Sequence, residues 1–346
     1  MISNMKVTPE LLYFDGSLPS LFMSLLDTNL NKCKFCSDVS QAVGEVPIGT
    51  AGTYDYWLVV ELPPPWSELA LDQNDALKPY LEQIKYLVYK KGVKLRPLAI
   101  APDPDYSHPS YTRVLFYSRP SDLFSHYLRD EYLIPETELG NLASALLLEP
   151  EKLPNFIQYK QANDHQSDLL VCTHGNVDVA CSRYGYPLYK KWREQADERI
   201  SRVWRCSHFG GHRFAPTAIT LPDGRYWGRL IPEALNLILD QQGDINQIKS
   251  YYRGWTGLDQ WSQIAEQEIW LNHGWEWFHY LKAGEVLEAD ETDQKWATVQ
   301  IRYAHGTDQG KYQVKIESTG SLETAAESGS PPHLARVQQY QVTEIK

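Results

Sequence analysis

Cysteine and histidine are concentrated in one short stretch of this sequence, between Asp168 and Arg229. Three of the five cysteines and a close pair of histidines lie there. Thiolates and imidazoles are the ligands that zinc and iron–sulfur centres prefer. An odd number of cysteines does not suit a secreted disulfide framework, so clustered thiols favour metal or redox chemistry in a reducing compartment. The stretch therefore predicts a metal or iron–sulfur site, and its candidate ligands are Cys172, Cys181, Cys206, His208 and His212.

Length and charge narrow the class of protein. A chain of 346 residues with 42% hydrophobic residues is long enough for two or three domains. The longest apolar run, Tyr56 to Val60, is too short to cross a bilayer, and residues 1–14 lack the pattern of a secretory signal. We therefore expect a cytoplasmic protein. The net charge of −11 argues against nucleic acid as the main partner, because phosphate binding needs a basic surface.

Strands alternate with helices in the first 160 residues, which predicts an N-terminal α/β domain (1–160). It opens with an irregular lead and a short helix near Leu18 to Leu26. A buried strand with the sequence YDYWLVVEL follows, and Gly92 ends the next helix. The predicted strands are 54–62, 95–101 and 113–118, and the predicted helices run from 74 or 75 to 91 and from 139 to 148.

A second domain (161–245) contains the candidate ligands. The pattern predicts a strand at 169–171, a helix from Pro187 to Arg199, a strand at 200–205, a hairpin at 217–229 and a helix at 232–240. This is close to the thioredoxin order with one helix replaced by a loop. The candidate ligands then lie at strand ends, where α/β sheets place their sites.

The remaining residues (246–346) predict a C-terminal extension with a helix that ends at Gly274 and a hairpin with strands near 299–303 and 312–316. Trp275, Trp277, Phe278 and Tyr280 form an aromatic group that we interpret as a packing seam, with a partner surface as the alternative. Residues 318–332 are small and polar, which predicts a mobile segment, and 337–345 favours a last strand.

Three kinds of metal site compete on spacing alone. A zinc finger wants cysteines two to four apart, and eight residues separate Cys172 from Cys181. A Rieske centre would use Cys172 with His174 and Cys206 with His208, but Rieske domains are all-β. In the third arrangement Cys172 and Cys181 bind one iron, and His208 and His212 bind the other. The two glycines between these histidines favour a loop over a helix.

The same residues resemble a known family. Cys172 and Cys181, then the run WRCSHFGGHRFA (204–215), then LPDG (221–224) and YWG (226–228), are similar to the sucrase/ferredoxin-like proteins, also described as thioredoxin-like ferredoxins. The resemblance extends back to Cys36-Ser37 and covers roughly residues 30–240. It implies a [2Fe–2S] cluster with the ligands Cys172, Cys181, His208 and His212. Residues after about 245 are not covered.

Cys206 and His174 lie next to these ligands in the sequence. Cys206 could replace Cys181 as a ligand, although we favour a buried thiol that binds no metal. We expect His174 to support a ligand rather than to be one.

The resemblance favours an electron-transfer protein over a stand-alone enzyme. The ten basic side chains against four acidic ones between Arg183 and Arg229 suggest docking with an acidic redox partner such as a plant-type ferredoxin or flavodoxin. Solvated charges on an acidic protein are the alternative. Nothing in the sequence points to the opposed carboxylates that sucrose hydrolysis would need.

Two other functions remain open. One is a thiol-disulfide oxidoreductase that uses Cys33 and Cys36, a Cys-x-x-Cys pair. The sequence context of the pair argues against this function, because a helical pattern precedes the two cysteines and a polar loop (37–47) is expected after them. The other is a zinc-stabilised binding module.

Overall fold

A computed structural model describes residues 34–162, 167–197 and 201–346. The predicted helix near Leu18 to Leu26, and Cys33, lie outside the described residues. Among the described helices, none is long and apolar enough to span a membrane.

The N-terminal part of the structure follows the predicted alternation of strands and helices. Gly92, with φ of 68°, ends its first long helix as predicted. Strand β4 was not predicted, because its sequence LRDEYLI carries three charged residues. Their burial is compensated by ion pairs, of which Arg129 with Glu131 is one. The elements are β1 (Tyr56–Glu61), α2 (Lys78–Lys91), β2 (Leu95–Ile100), β3 (Thr112–Ser118), β4 (Leu128–Ile134) and α3 (Leu139–Leu147). The short helix α1 (Cys36–Ala42) precedes them.

The middle part of the chain has the predicted order of strand, helix, strand, hairpin and helix. The predicted start of its first helix at Pro187 is wrong. The helix begins at Val179, because the Asp178 side chain accepts a hydrogen bond from the Ala180 N–H and caps it. The elements are β5 (Ser167–Cys172), α4 (Val179–Gln195), β6 (Ser201–Cys206), β7 (Ala218–Leu221), β8 (Arg225–Trp227) and α5 (Ala234–Asp240).

Within the described residues, one nine-stranded sheet includes both parts of the chain. Its order is β4-β3-β1-β2-β6-β5-β7-β8-β9, where β9 is Tyr252–Trp255. In each part the first two strands are parallel and the third is antiparallel to the first. The two parts therefore repeat one thioredoxin-like arrangement and meet edge to edge at Ile100 and Cys206. The predicted α/β fold is confirmed; in the sequence the two parts share only a start of strand, helix, strand and strand, which by itself does not establish a repeat.

The C-terminal part forms a second sheet of four antiparallel strands beside helix α6 (Gln260–His273). The predicted helix, hairpin and last strand are confirmed. Trp277 and Phe278 are buried in the main core, which confirms the packing seam. The prediction of a mobile segment at 318–332 is wrong, because residues 318–325 belong to strand β12 and pair with β13. The strands are β10 (Leu281–Ala289), β11 (Trp296–His305), β12 (Asp308–Ala325) and β13 (Leu334–Ile345).

Candidate metal centre

Two cysteines and one histidine meet at the end of β5. Cys172 is the last residue of β5, Cys181 lies in the first turn of α4, and His208 follows β6. The His208 Nδ1 atom is 3.8 Å from the Cys172 sulfur and 3.6 Å from the Cys181 sulfur. The donor atoms of the three residues lie within 4.8 Å of one another. Both thiols are buried, so the structure brings together three of the predicted ligands in one enclosed group.

Close packing of α4 on β5 produces this proximity. Gly185 faces the end of β5, and a Cβ atom at this position would come within 1.9 Å of the Cys172 carbonyl oxygen. A contact below 3 Å is not tolerated by real side chains, so only glycine allows the helix to lie this near the strand. The backbone of α4 thereby holds Cys181 against Cys172.

The loop after β6 places the two predicted histidines side by side. Gly210 and Gly211 both have positive φ, at 97° and 83°, where glycine is favoured over other residues. The guanidinium of Arg253 donates a hydrogen bond to the Gly210 carbonyl and two more to Thr50. The ring centroids of His208 and His212 are 5.6 Å apart. The prediction of a loop, rather than one helical face, is confirmed.

A second group of donors surrounds His212 and includes residues that the sequence reasoning did not select. The His212 Nδ1 atom is 3.2 Å from the Cys36 sulfur and 3.4 Å from a carboxylate oxygen of Asp178. The Cys36 sulfur is 3.6 Å from the same oxygen. Cys36 was noted as part of the family resemblance, and Asp178 carries an N-cap signal, but their approach to His212 depends on the tertiary fold.

The C-terminal sheet contributes to this second group through the loop between β12 and β13. The Ser328 hydroxyl donates to one oxygen of Asp178 (2.7 Å), and its backbone N–H donates to the other (2.8 Å). The same hydroxyl accepts a hydrogen bond from the Cys36 N–H at 3.0 Å. Gly329 and Lys34 exchange backbone hydrogen bonds alongside. We call residues 326–332 the covering loop, and it fixes Asp178 beside His212.

The protonation equilibria of the thiols differ between the two groups. Burial opposes ionisation of Cys172, but contacts with Cys181 and His208 lower the pKa of its thiol. The hydrogen bond with Cys172, together with burial, raises the pKa of the Cys181 thiol. This pair can therefore share one proton and present one thiolate. Burial also lowers the pKa of the His212 imidazole, with Asp178 opposing that effect, and so favours a neutral ring.

Cys36 lacks the properties of a redox nucleophile. The predicted polar loop after it is wrong, because Cys36 is the first residue of helix α1. A helix N-terminus usually lowers the pKa of a thiol. Here burial dominates and raises the pKa of the Cys36 thiol to about 12. Since its side chain is also fully buried, the thiol is neither ionised nor accessible.

Cys206 and His174 lie beside the two groups without joining either. Cys206 is fully buried at the end of β6, and burial raises the pKa of its thiol well above the usual range. The His174 Nδ1 atom accepts a hydrogen bond from the His208 backbone N–H at 3.2 Å. Its other ring nitrogen is 3.1 Å from the Trp66 carbonyl oxygen. Both nitrogens of His174 are thus engaged in holding the loop.

Much of the positive charge predicted around the site is neutralised inside the protein. Nine of the ten basic side chains between 183 and 229 lie in the described part of the chain, and four of these form ion pairs with partners outside this stretch. The pairs are Arg193 with Asp103, Arg202 with Asp168, Arg213 with Glu45 and Arg225 with Glu266. The positive charge that reaches solvent is therefore smaller than the sequence count.

The fold and the buried donors define an α/β protein with a cysteine–histidine group at its strand ends. The model of the sucrase/ferredoxin-like family matches residues 47–254, which is more than half of the chain. The chain belongs to the sucrase/ferredoxin-like family.

Two curated relatives are both described as "Altered inheritance of mitochondria protein 32". The protein from Meyerozyma guilliermondii is 28% identical over 165 residues, and the one from Debaryomyces hansenii is 27% identical over 169 residues. Each alignment covers 43% of this chain and 56% or 58% of the relative, so the match spans little more than half of their length.

Two solved structures are similar over a small part of the chain. The thioredoxin-like [2Fe-2S] ferredoxin from Aquifex aeolicus has 15% identity and a TM-score of 0.20, and covers 22% of this chain and 80% of its own. A cysteine-to-serine variant of that ferredoxin has 17% identity and a TM-score of 0.19, and covers 22% and 85%.

Proposed function

We propose that this protein transfers single electrons through a [2Fe–2S] cluster bound by Cys172, Cys181, His208 and His212. The observation that carries the proposal is the convergence of two buried thiols and an imidazole within 4.8 Å, with a second imidazole ring 5.6 Å from the first. Such a mixed set of sulfur and nitrogen donors suits iron–sulfur ligation. A bound cluster supplies one-electron redox chemistry at this site.

The surroundings of His212 fit a ligand role. A metal-binding histidine usually directs its other ring nitrogen to a carboxylate or a carbonyl, which fixes its tautomer and orientation. Asp178 provides that carboxylate at the His212 Nδ1 atom. The Nε2 atom of His212 is then the one available to iron. Two neutral imidazoles in place of two thiolates make the assembly less negative, which favours a higher reduction potential.

Anaerobic purification with iron and acid-labile sulfide assays tests the proposal. We expect about two iron atoms and two sulfides per chain, as a [2Fe–2S] cluster requires, with an EPR signal after reduction. Cys172, Cys181 and His208 also suit zinc as a set of sulfur and nitrogen donors. A colourless protein that contains zinc and no iron would show a zinc-stabilised module instead and end the proposal.

Variants of the histidines identify the ligands. We expect His208→Cys and His212→Cys to retain a cluster with a shifted absorption spectrum and a lower potential, because a thiolate adds negative charge. Cys206→Ala is the matched control, since Cys206 lies beside the donors. Loss of iron in Cys206→Ala, with retention in Cys181→Ala, would assign the second sulfur ligand to Cys206.

An acidic protein such as a ferredoxin or flavodoxin remains our proposed redox partner, in the cytoplasm. Arg183, two residues after Cys181, is exposed and supports such docking, although Arg193 and Arg202 are paired internally. Steered association slows as ionic strength rises. Electron transfer that does not change in rate between low and high salt would contradict docking by charge.

A further inference from the structure

A cavity of about 360 Å³ opens beside His208, on the N-terminal side of the candidate centre. This volume is in the range of small-molecule sites, about 300 to 1,000 Å³. Its walls come from helix α2, the start of β2 and the 3-10 turn at 70–73. Most of the side chains lining it are apolar, and the main ones are Leu71, Leu81, Ile84, Val88, Leu95 and Pro97.

The inner end of this cavity is polar and positively charged. Arg96 lines it, donates a hydrogen bond to the His208 carbonyl at 2.5 Å, and lies over the ring of Tyr54. Its Nε atom is buried and has no hydrogen-bond partner. The buried residues His174 and Ser207 also line this end. The Nε atom of Arg96 has no surface open to the cavity, but the two Nη nitrogens carry further N–H donors, and among the described residues Arg96 has no carboxylate partner. The half-buried guanidinium therefore favours an anionic group on whatever binds there.

The mouth of the cavity carries the exposed residues. Tyr89 is 77% exposed and Leu69 is 58% exposed, whereas Leu81 and Ile84 are buried. The acidic lining residues Glu68 and Asp72 are also more exposed than these inner leucine and isoleucine side chains. Lys85 also lines the cavity, but it is paired with Glu82. A ligand with its anion at the mouth would therefore meet the carboxylates of Glu68 and Asp72, so its charged group should enter first.

We propose that this cavity binds a small aromatic molecule with one anionic group, the anion at Arg96 and the ring against Leu81, Ile84 and Val88. Aromatic rings bury a large apolar area and suit the ring of Tyr54 beside Arg96. The bound molecule lies next to His208, the half-exposed residue of the first donor group. Its use as an electron donor or acceptor rests on the proposed function, but binding itself needs no cluster.

Calorimetric titration of the purified full-length protein with 2-naphthalenesulfonate tests the inference. We expect one site per chain. Arg96→Gln should weaken binding about tenfold or more, because a hydrogen bond to a charged group contributes on the order of 1.5 to 3 kcal/mol. The uncharged analogue 2-naphthol should bind more weakly than the sulfonate and should not respond to Arg96→Gln.

Variants of helix α2 distinguish binding of the sulfonate in this cavity from binding at other apolar surfaces. Ile84→Trp and the less buried Val88→Trp fill the cavity and should each abolish binding. Tyr86→Trp lies on the same helix, is exposed and does not line the cavity, so it should bind as the parent does. No binding to the parent at millimolar concentration, or unchanged binding to a folded Val88→Trp variant, would overturn the inference.

Iron content distinguishes failure of this inference from failure of the proposed function. If the protein contains the cluster and does not bind 2-naphthalenesulfonate, only the cavity inference fails. If an iron-free preparation binds the sulfonate and loses that binding in Val88→Trp, the cavity inference holds while the electron-transfer proposal fails.

Discussion

Replacement of Ser328 by alanine tests whether the C-terminal sheet supports the candidate centre. The variant loses the hydrogen bond from the Ser328 hydroxyl to the Asp178 carboxylate and the one that this hydroxyl accepts from the Cys36 N–H. The first contributes roughly 1.5 to 3 kcal/mol, because it involves a charged group, and the second about 0.5 to 1.5 kcal/mol. The backbone bond from Ser328 to Asp178 remains. We expect the free energy of unfolding to fall by about 2 to 4.5 kcal/mol.

Urea denaturation followed by circular dichroism measures this change. Ser321→Ala is the matched control, because Ser321 is an exposed residue of strand β12, which leads into the covering loop. Asp178 also orients His212, so we expect Ser328→Ala to lose iron faster than Ser321→Ala when an iron chelator is added. Unfolding free energies of the two variants within about 0.5 kcal/mol, the usual range of surface substitutions, would refute a supporting role for the covering loop.

Three further substitutions test other parts of the structure. In an ordinary helix, replacing glycine by alanine is stabilising by about 1 kcal/mol. Gly185→Ala should instead destabilise the protein and lower its iron content, because the added Cβ atom overlaps the Cys172 carbonyl oxygen at the end of β5. Glu266→Ala should lower the free energy of unfolding by roughly 3 to 5 kcal/mol, because it leaves Arg225 buried without its carboxylate partner. Burial opposes ionisation of the Asp103 carboxyl, but the hydrogen bonds that it accepts from Arg193 lower its pKa. The stability that ionised Asp103 contributes is therefore present above about pH 4 and is lost as the pH falls through the lowered pKa. Asp103→Asn should therefore reduce the pH dependence of unfolding on the acid side.

Matched controls exist for each of these substitutions. Ser182→Ala changes a half-buried side chain of helix α4, Glu268→Ala removes a more exposed carboxylate from helix α6, and Asp122→Asn changes an exposed acid. Urea unfolding at neutral pH checks the first two predictions, and a series from pH 3 to 7 checks the third. A Gly185→Ala variant as stable and as rich in iron as Ser182→Ala would show that α4 has room to move.

Local patterns allowed much of the fold to be predicted. The alternation of apolar segments with turn residues located strands β1, β5 and β6, because it is a property of neighbouring residues. Strand β4 was missed because Arg129 and Glu131 are buried in ion pairs with Asp168 and Arg202, which lie far along the chain. The first turn of α4 was missed because Pro187 was interpreted as a helix start, whereas Asp178 caps the helix two turns earlier.

In the candidate centre, too, the residues with a local sequence signal could be predicted and the long-range contacts could not. The donors around His208 could be selected from the sequence, because cysteine and histidine are rare and closely spaced there. Cys36 and Ser328 could not be placed beside the site, since they are 142 and 150 residues away from Asp178 in the sequence. Only the closure of the C-terminal sheet over helix α1 brings them to His212.

Pulsed EPR of the reduced protein with ¹⁵N-labelled histidine tests the proposed ligand set most directly. We expect hyperfine coupling to two histidine nitrogens, with one lost in His208→Cys and the other in His212→Cys. A reduced cluster without histidine coupling, or with two couplings that persist in both variants, would contradict ligation by His208 and His212.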